Sequence, residues 1–228
     1  MDYKKNLKYF MNVKSFKRYA ILLGIIGALI FIWGISEEEF GIVALGLVIA
    51  AMGAGLYYLN NYFLSSDAAY DASVNAMKNS LDIDSMAYKA LGIDPDEVRE
   101  AAPISFEGFV YLGASLARLG KDNIWRTNRY MLSRIYFSAN EVHCYKYIFS
   151  TTADYKAEAT DVYFYKDVVS VSTDSNTIHI GDNDVGYDYF KLVTTGGTSF
   201  SSSFDHSEGV TRSVNGMRSL IKQKKLEG

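Results

Sequence analysis

Hydrophobic and polar positions divide the chain into three parts. The first contains two apolar runs, Tyr19–Ser36 and Phe40–Leu59, that hold no Asp, Glu, Lys, Arg or His. Each fits the span of about 17–25 residues that crosses a bilayer as a helix. Because lipid offers no hydrogen-bond partner to a bare backbone, two such runs are expected to be helical. The pattern predicts a transmembrane helical hairpin within residues 1–64.

The charges that flank the two runs predict their orientation. Six basic residues and one acidic residue precede the first run, a net charge of +5, and such segments stay on the cytoplasmic side. The link Glu37–Glu39 is short and acidic, as expected of an external turn. We expect a multi-pass protein of the cell membrane with both termini in the cytoplasm. A cleaved signal peptide is disfavoured, since no small-residue cleavage site ends the first run.

Small residues recur every four positions in both runs, and such spacing lets helix backbones approach closely. The residues predicted to pack the two helices together are Ala20, Gly24, Ala28, Gly46, Ala50 and Ala54. Homo-oligomerisation through the same residues is the alternative. Neither run contains an ionisable group other than terminal tyrosines, which argues against a transporter or channel.

Residues 65–103 predict short connecting helices. The first begins near Ser65–Asp67, the second spans Ser85–Leu91 between the caps Asp84 and Gly92, and the third runs from Asp94 to just before Pro103. We expect this connector to hold the remaining chain off the bilayer, and a partner-binding helix is the alternative.

Residues 104–228 carry short runs of β-branched and aromatic residues, which indicate seven or eight strands. The predicted strands are Ser105–Leu112, Arg129–Ala139, Glu141–Phe149, Glu158–Lys166, Asp167–Thr173, Asn176–Ile180, Asp188–Thr194 and Thr198–Phe204. Predicted turns lie at 139–141, 174–175 and 195–197, whereas Leu116, Arg118 and Leu119 favour a helix within Gly113–Asn128. A final helix, capped by Asp205 or Ser207, is predicted to run to about Lys225.

Seven strands and a C-terminal helix form an order of elements that resembles a pleckstrin-homology-like (PH-like) domain. The runs Arg134–Phe137 and Tyr163–Ser172 are also similar to segments of uncharacterised two-helix membrane proteins of Gram-positive bacteria. The resemblance covers roughly Ile104 to the end and implies a binding or scaffolding domain without catalytic residues. The expected fold is therefore α+β, with a transmembrane hairpin and a small antiparallel β-barrel capped by a helix.

Candidate catalytic chemistry is sparse. The single cysteine, Cys144, follows His143 in a predicted strand, where neighbouring side chains point to opposite faces. No zinc-binding Cys/His spacing or phosphate-binding loop occurs. We expect no enzyme activity, no metal and no cofactor.

A cluster of basic residues around Trp125 is the best candidate for a ligand surface. Its members are Arg118, Lys121, Trp125, Arg126 and Arg129. Guanidinium groups bind phosphate and carboxylate, so this cluster predicts contact with anionic lipid or an acidic partner. A solvated loop paired with Asp122 is the alternative. The formal net charge of -3 and pI of about 5.6 argue against nucleic acid.

Two functional hypotheses follow. The first is a membrane-tethered cytosolic module that recruits a protein partner or senses a ligand at the inner membrane face. The second is a structural or membrane-active protein whose hairpin oligomerises through its small residues.

Overall fold

The computed structural model describes residues 1–11, 14–63, 65–180, 183–204 and 208–227. The predicted caps Asp205 and Ser207 lie outside these ranges. The chain divides into two units, one of residues 4–70 and one of residues 71–228 together with 1–3. The α+β class is confirmed: two apolar N-terminal helices precede antiparallel sheets and a C-terminal helix.

The described helices follow the predicted order, with one addition before the first apolar run. They are α1 (Tyr3–Phe10), α2 (Lys14–Ser36), α3 (Phe40–Phe63), α4 (Asp67–Asn79), α5 (Ile83–Leu91) and α6 (Glu208–Glu227). The prediction of a third connecting helix is wrong, because only a short 3-10 turn, Pro95–Glu97, forms at its start. Asp94 and Glu97 still form the reciprocal cap that the sequence indicated.

Buried small residues spaced seven apart hold α2 and α3 together. They are Ala20, Gly27 and Gly34 on α2, and Gly46 and Gly53 on α3. A Cβ atom added at Gly53 would lie 2.6 Å from the backbone nitrogen of Gly24, and one at Gly34 would lie 2.6 Å from that of Val43. The two backbones therefore touch where the glycines lie.

Only some of the small residues predicted to pack α2 against α3 lie at the contact between these helices. Ala28 and Ala54 lie on the exposed surface of the pair. The backbones of Gly24 and Ala50 do lie at the contact, opposite Gly53 and Gly27. A seven-residue period keeps one side of a helix towards its partner, whereas a four-residue period drifts around the helix, so only some of the predicted residues lie at the contact.

Helix α1 is an element that the sequence patterns did not predict. Its Tyr9 ring stacks on Tyr70, with centroids 4.3 Å apart, and Phe10 lies edge-on to Tyr70 at 5.2 Å. The Tyr9 hydroxyl donates a hydrogen bond of 2.9 Å to Asp67 Oδ1. Aromatic packing and this hydrogen bond thus fix α1 against the start of α4.

Among the described residues, nine strands form two antiparallel sheets and one separate hairpin. The strands are β1 (Ile104–Phe109), β2 (Ala117–Leu119), β3 (Trp125–Thr127), β4 (Arg129–Phe137), β5 (Glu141–Ser150), β6 (Lys156–Phe164), β7 (Val168–Ile180), β8 (Asn183–Thr194) and β9 (Ser199–Ser203). The first sheet has the order β1-β4-β5-β6, the second has β7-β8-β9, and β2 pairs with β3. In the described part of the chain no single closed barrel is formed.

Two local predictions within the sheets are wrong. The supposed turn at Asp174–Ser175 lies inside β7, where both residues pair in register with β8. Polar side chains are tolerated there because this part of the hairpin is largely exposed. The predicted helix within Gly113–Asn128 is instead the β2–β3 hairpin, which is closed by a turn with Asn123 at φ 61°.

The main apolar core lies between the two sheets and under α6. The Phe106 ring of β1 stacks on the Phe190 ring of β8, with centroids 4.6 Å apart. Helix α6 contributes Val214, Met217 and Ile221, which are all buried, as its apolar spacing predicted. Cys144 is completely buried in this core, and burial raises the pKa of its thiol.

The second connecting helix, α5, covers the opposite face of the first sheet. Helix α5 packs on β4, β5 and β6. The Tyr136 hydroxyl donates a hydrogen bond of 2.7 Å to Asp84 Oδ1, so Asp84 supports the sheet, and Asp82 provides the N-cap of α5. Strands β4 and β5 are buried along almost their whole length because both faces of this sheet are covered.

Replacing Gly46 by alanine is expected to loosen the α2–α3 pair. The added methyl group would overlap the backbone of Phe31, and such overpacking costs about 1–3 kcal/mol. Thermal unfolding of the full chain in a non-ionic detergent should show a lower Tm for Gly46→Ala. Gly55→Ala is the matched control, because its Cβ would meet no atom within 4 Å. Equal melting of both variants would contradict the close approach.

Candidate functional site

A cleft of about 540 Å³ lies where α4, β1, the β2–β3 hairpin and β8 meet. Its apolar wall consists of Val74, Ile124 and six aromatic residues: Phe109, Tyr111, Trp125, Tyr130, Tyr187 and Phe204. Its charged lining consists of Asp71, Arg126 and Asp188. This volume lies in the range of small-molecule sites, in which apolar walls are combined with few polar groups.

Arg126 is buried at the edge of this cleft between two carboxylates. Its Nε and Nη2 donate hydrogen bonds of 2.7 Å to the two oxygens of Asp71. Its Nη1 and Nη2 donate to Asp122 at 2.9 and 2.7 Å, and Nη1 also donates to the Ile124 carbonyl at 3.2 Å. These five bonds use all five N–H groups of the guanidinium.

The β2–β3 hairpin places Arg126 and one of its partners. The side chain of Asp122 accepts a hydrogen bond from the Ile124 backbone amide, which fixes the carboxylate within the turn. The hydrogen bond from Arg126 holds the pKa of Asp122 well below its usual range. Arg118 lies directly opposite Arg126 across the hairpin, so the carboxylates also offset repulsion between two cations.

Side-chain hydrogen bonds anchor the loop in front of this hairpin. The Asn128 side chain accepts from the backbone amides of Ser115 and Leu116, both at 3.2 Å, and donates to Thr152 Oγ1 at 3.2 Å. The buried Thr127 hydroxyl donates to the Val110 carbonyl at 2.7 Å. Polar residues in a stretch that resembled a loop therefore form a fixed support for Trp125 and Arg126.

The aromatic wall joins segments that are far apart in sequence. The rings of Tyr111 and Tyr187 stack with centroids 5.1 Å apart, and the Tyr111 hydroxyl donates to the Trp125 carbonyl at 3.0 Å. Phe109 and Tyr130 meet edge to face at 5.1 Å. Tyr187 comes from β8 and Asp71 from α4, so single-sequence patterns around Trp125 could not identify either residue.

The members of the basic cluster predicted from the sequence have different surroundings in the structure. Arg126 directs all its donors at internal oxygens, and the Arg129 guanidinium lies 4.7 Å from the centre of the Tyr155 ring. Arg118 and Lys121 flank the β2–β3 turn, and neither lines the cleft. Trp125 does line it, but as part of an aromatic wall.

Metal ligands and the single thiol are the first candidate chemical groups among the described residues. Among them, no group of three or more His, Cys, Asp or Glu side chains could hold a metal ion. Cys144 lies in the apolar core with its thiol fully covered, so it is badly placed for attack on a ligand. The cleft itself combines aromatic surface, carboxylates and a neutralised guanidinium, an arrangement suited to holding a molecule.

Comparison with known proteins does not add a family to these observations. No protein-family model and no curated protein matches the chain. The resemblance to PH-like membrane proteins therefore stays a prediction.

Replacing Arg126 by leucine is expected to destabilise the strand-rich unit at neutral pH. The change leaves Asp71 and Asp122 without their shared cation, and it should lower the Tm of the strand-rich unit. Arg126 lowers the pKa of Asp122, so its contribution to stability is complete at pH 7 and is lost as the pH falls below the ordinary Asp range of about 4. The difference in Tm between the parent chain and the variant should therefore be smaller at pH 3 than at pH 7, and thermal unfolding at both values measures it. Arg118→Leu is the control, and an equal loss in that variant would contradict a special role for Arg126.

Proposed function

We propose that the chain is a membrane-tethered binding module. The hairpin of α2 and α3 spans the cell membrane, both termini lie in the cytoplasm, and the strand-rich unit binds a ligand or partner in its aromatic cleft. The proposal includes no catalytic step.

The surface of the two apolar helices is the observation that carries this proposal. Their candidate spans, Lys17–Ser36 and Phe40–Leu59, are long and apolar enough to cross a bilayer, and only 17% and 11% of an 18-residue stretch in each is buried. Large side chains such as Leu29 and Ile32 are 62% and 63% exposed. Aliphatic surface of this extent is costly in water and favourable in lipid, which supports insertion over a soluble helical pair.

The arrangement of strands supports a PH-like barrel as part of the proposal. A four-stranded sheet packs across one core with a three-stranded sheet, and α6 closes one side of that core. The order of elements, with seven sheet strands before a single helix, agrees with the resemblance in sequence. The β2–β3 hairpin is an insertion between the first two strands of the four-stranded sheet.

Oligomerisation of the hairpin is the weaker alternative. Gly27, Gly46 and Gly53 are already occupied by contacts between α2 and α3 of the same chain. Close helix approach between two copies would have to use other residues. The geometry thus favours a stable anchor over an assembly device.

Cysteine labelling tests the proposed orientation. Cys144 is fully buried and gives little background, so Glu37→Cys in the α2–α3 link and Glu227→Cys near the end of α6 can serve as reporters. A membrane-impermeant maleimide should label Glu37→Cys in intact cells and Glu227→Cys only after permeabilisation. Both variants should resist extraction by alkaline carbonate. The opposite labelling pattern, or release into the carbonate supernatant, would overturn the proposed anchor.

Photo-crosslinking tests whether the cleft is occupied in cells. A benzophenone amino acid in place of Tyr187, which lines the cleft, should form adducts that mass spectrometry detects on the full chain. The control replaces Tyr155, a partly exposed tyrosine outside the cleft lining. Adducts specific to position 187 support binding in the cleft. Absence of adducts, or the same adducts at both positions, argues against it.

A further inference from the structure

The outer face of α1 carries lysines beside exposed apolar side chains. In this helix Asn6 and Tyr9 are buried. The exposed residues, which include one position just beyond the helix end, are Lys4, Lys5, Leu7, Lys8 and Met11. Positions 4, 7, 8 and 11 have the spacing of a single helix face. Leu7 and Met11 are 46% and 61% exposed, so positive charge and apolar surface lie side by side, as in helices that rest on a membrane.

The inner face of α1 is occupied within the chain. The stacking of Tyr9 on Tyr70 and its hydrogen bond to Asp67 hold this face against the start of α4. Rotation of α1 about its axis would break both contacts. The outer face is therefore the one that remains for a partner outside the chain.

The connection to α2 keeps α1 close to the membrane surface. Only residues 11–13 separate the two helices, and three extended residues reach about 10 Å. The candidate span begins at Lys17, within the first turn of α2. With α2 in the bilayer, α1 lies at the level of the lipid headgroups, where burial of Leu7 and Met11 in lipid is favourable.

The end of the hairpin where α1 lies is strongly positive. Residues 1–18 and 65–70 contain six basic residues and two acidic residues, Asp2 and Asp67, a net charge of +4. This balance holds whatever pairs form among these side chains. Residues 71–228 carry 17 basic and 21 acidic residues. Attraction for an anionic membrane surface is therefore concentrated at α1 and the start of α2.

We propose that α1 lies on the cytoplasmic surface of the membrane and binds anionic phospholipid headgroups through its outer face. Its lysines attract the lipid phosphates, while Leu7 and Met11 enter the boundary between headgroups and acyl chains. This inference rests on the proposed function, because it requires the hairpin of α2 and α3 in the bilayer. It adds the class of lipid that the anchor prefers.

A fluorescent probe on the outer face of α1 tests this contact. Leu7→Cys is labelled with an NBD group, and the buried Cys144 gives little background. The full chain is placed in nanodiscs of phosphatidylcholine alone or of an equal mixture with phosphatidylglycerol. Nanodiscs leave both membrane faces open to acrylamide, a neutral quencher whose local concentration does not depend on surface charge.

Phosphatidylglycerol should reduce acrylamide quenching of the probe about twofold or more. Replacing Lys4, Lys5 and Lys8 together by glutamine, which preserves helix propensity, should remove most of this protection. The matched control replaces three exposed cations of α6 by glutamine and should keep the protection; they are Arg212, Lys222 and Lys225. Equal quenching in both lipids would overturn the inference, and so would an equal loss of protection in the α6 variant.

Native mass spectrometry in dodecyl maltoside measures the lipid preference directly. The parent chain and the α6 variant should bind phosphatidylglycerol about fivefold more strongly than phosphatidylcholine, and the α1 variant should lose this preference. Equal affinity of the parent chain for both lipids would contradict the proposed binding. A circular-dichroism melt of each variant, with a transition like that of the parent chain, ensures that a lost preference reflects α1 and not unfolding.

This inference and the proposed anchor fail separately. A chain that resists carbonate extraction but shows no preference for phosphatidylglycerol would reject lipid binding by α1 and leave the membrane-tethered module intact. Release of the chain by carbonate would reject the anchor itself, and the inference with it.

Discussion

Burial of β4 and β5, the two central strands of the four-stranded sheet, on both faces is the constraint on which the strand-rich unit depends. Tyr136 and Tyr145 are completely buried on a face that would be wet in a simple two-layer sandwich. Helices α4 and α5 are therefore part of this unit, and they cannot be removed as a linker. The same requirement brings α4 alongside the β2–β3 hairpin, and this places Asp71 within 2.7 Å of Arg126. Asp71 and Arg126 both line the aromatic cleft, so this contact forms part of its wall.

Arg126 shows that basic residues that are close in sequence need not form a basic surface in the folded protein. Four cations near Trp125 suggest attraction for anions when they are counted along the chain. In three dimensions the most buried of them lies between two carboxylates, and Arg129 stacks on an aromatic ring. Charge in a folded protein is set by neighbours, which here come from α4 and the hairpin turn. What remains at the cleft is aromatic surface with acidic groups.

Sequence periodicity predicted the elements whose signal is local. The two apolar helices, most strands and the apolar side of α6 follow from length and spacing alone. Errors occurred where distant contacts decide: Asp174–Ser175 resembles a turn, but ladder pairing with β8 keeps it extended. The sequence predicted part of the cleft lining, namely Trp125 and Arg126. The other lining residues, Asp71 on α4 and Tyr187 on β8, lie in no sequence pattern that indicates a site. The two apolar runs contain small residues spaced both four and seven positions apart. The sequence alone therefore did not decide which of these residues lie between α2 and α3.

Helix α6 covers a core whose other residues all precede it in the chain. The core between the two sheets includes Val214, Met217 and Ile221, which are near the end of the chain. Every strand of the two sheets precedes these residues in the chain. Before α6 packs, Phe190, Leu192 and their neighbours lack one wall of the core. Docking of α6 therefore completes the core, and a chaperone that shields apolar surface would act before this step.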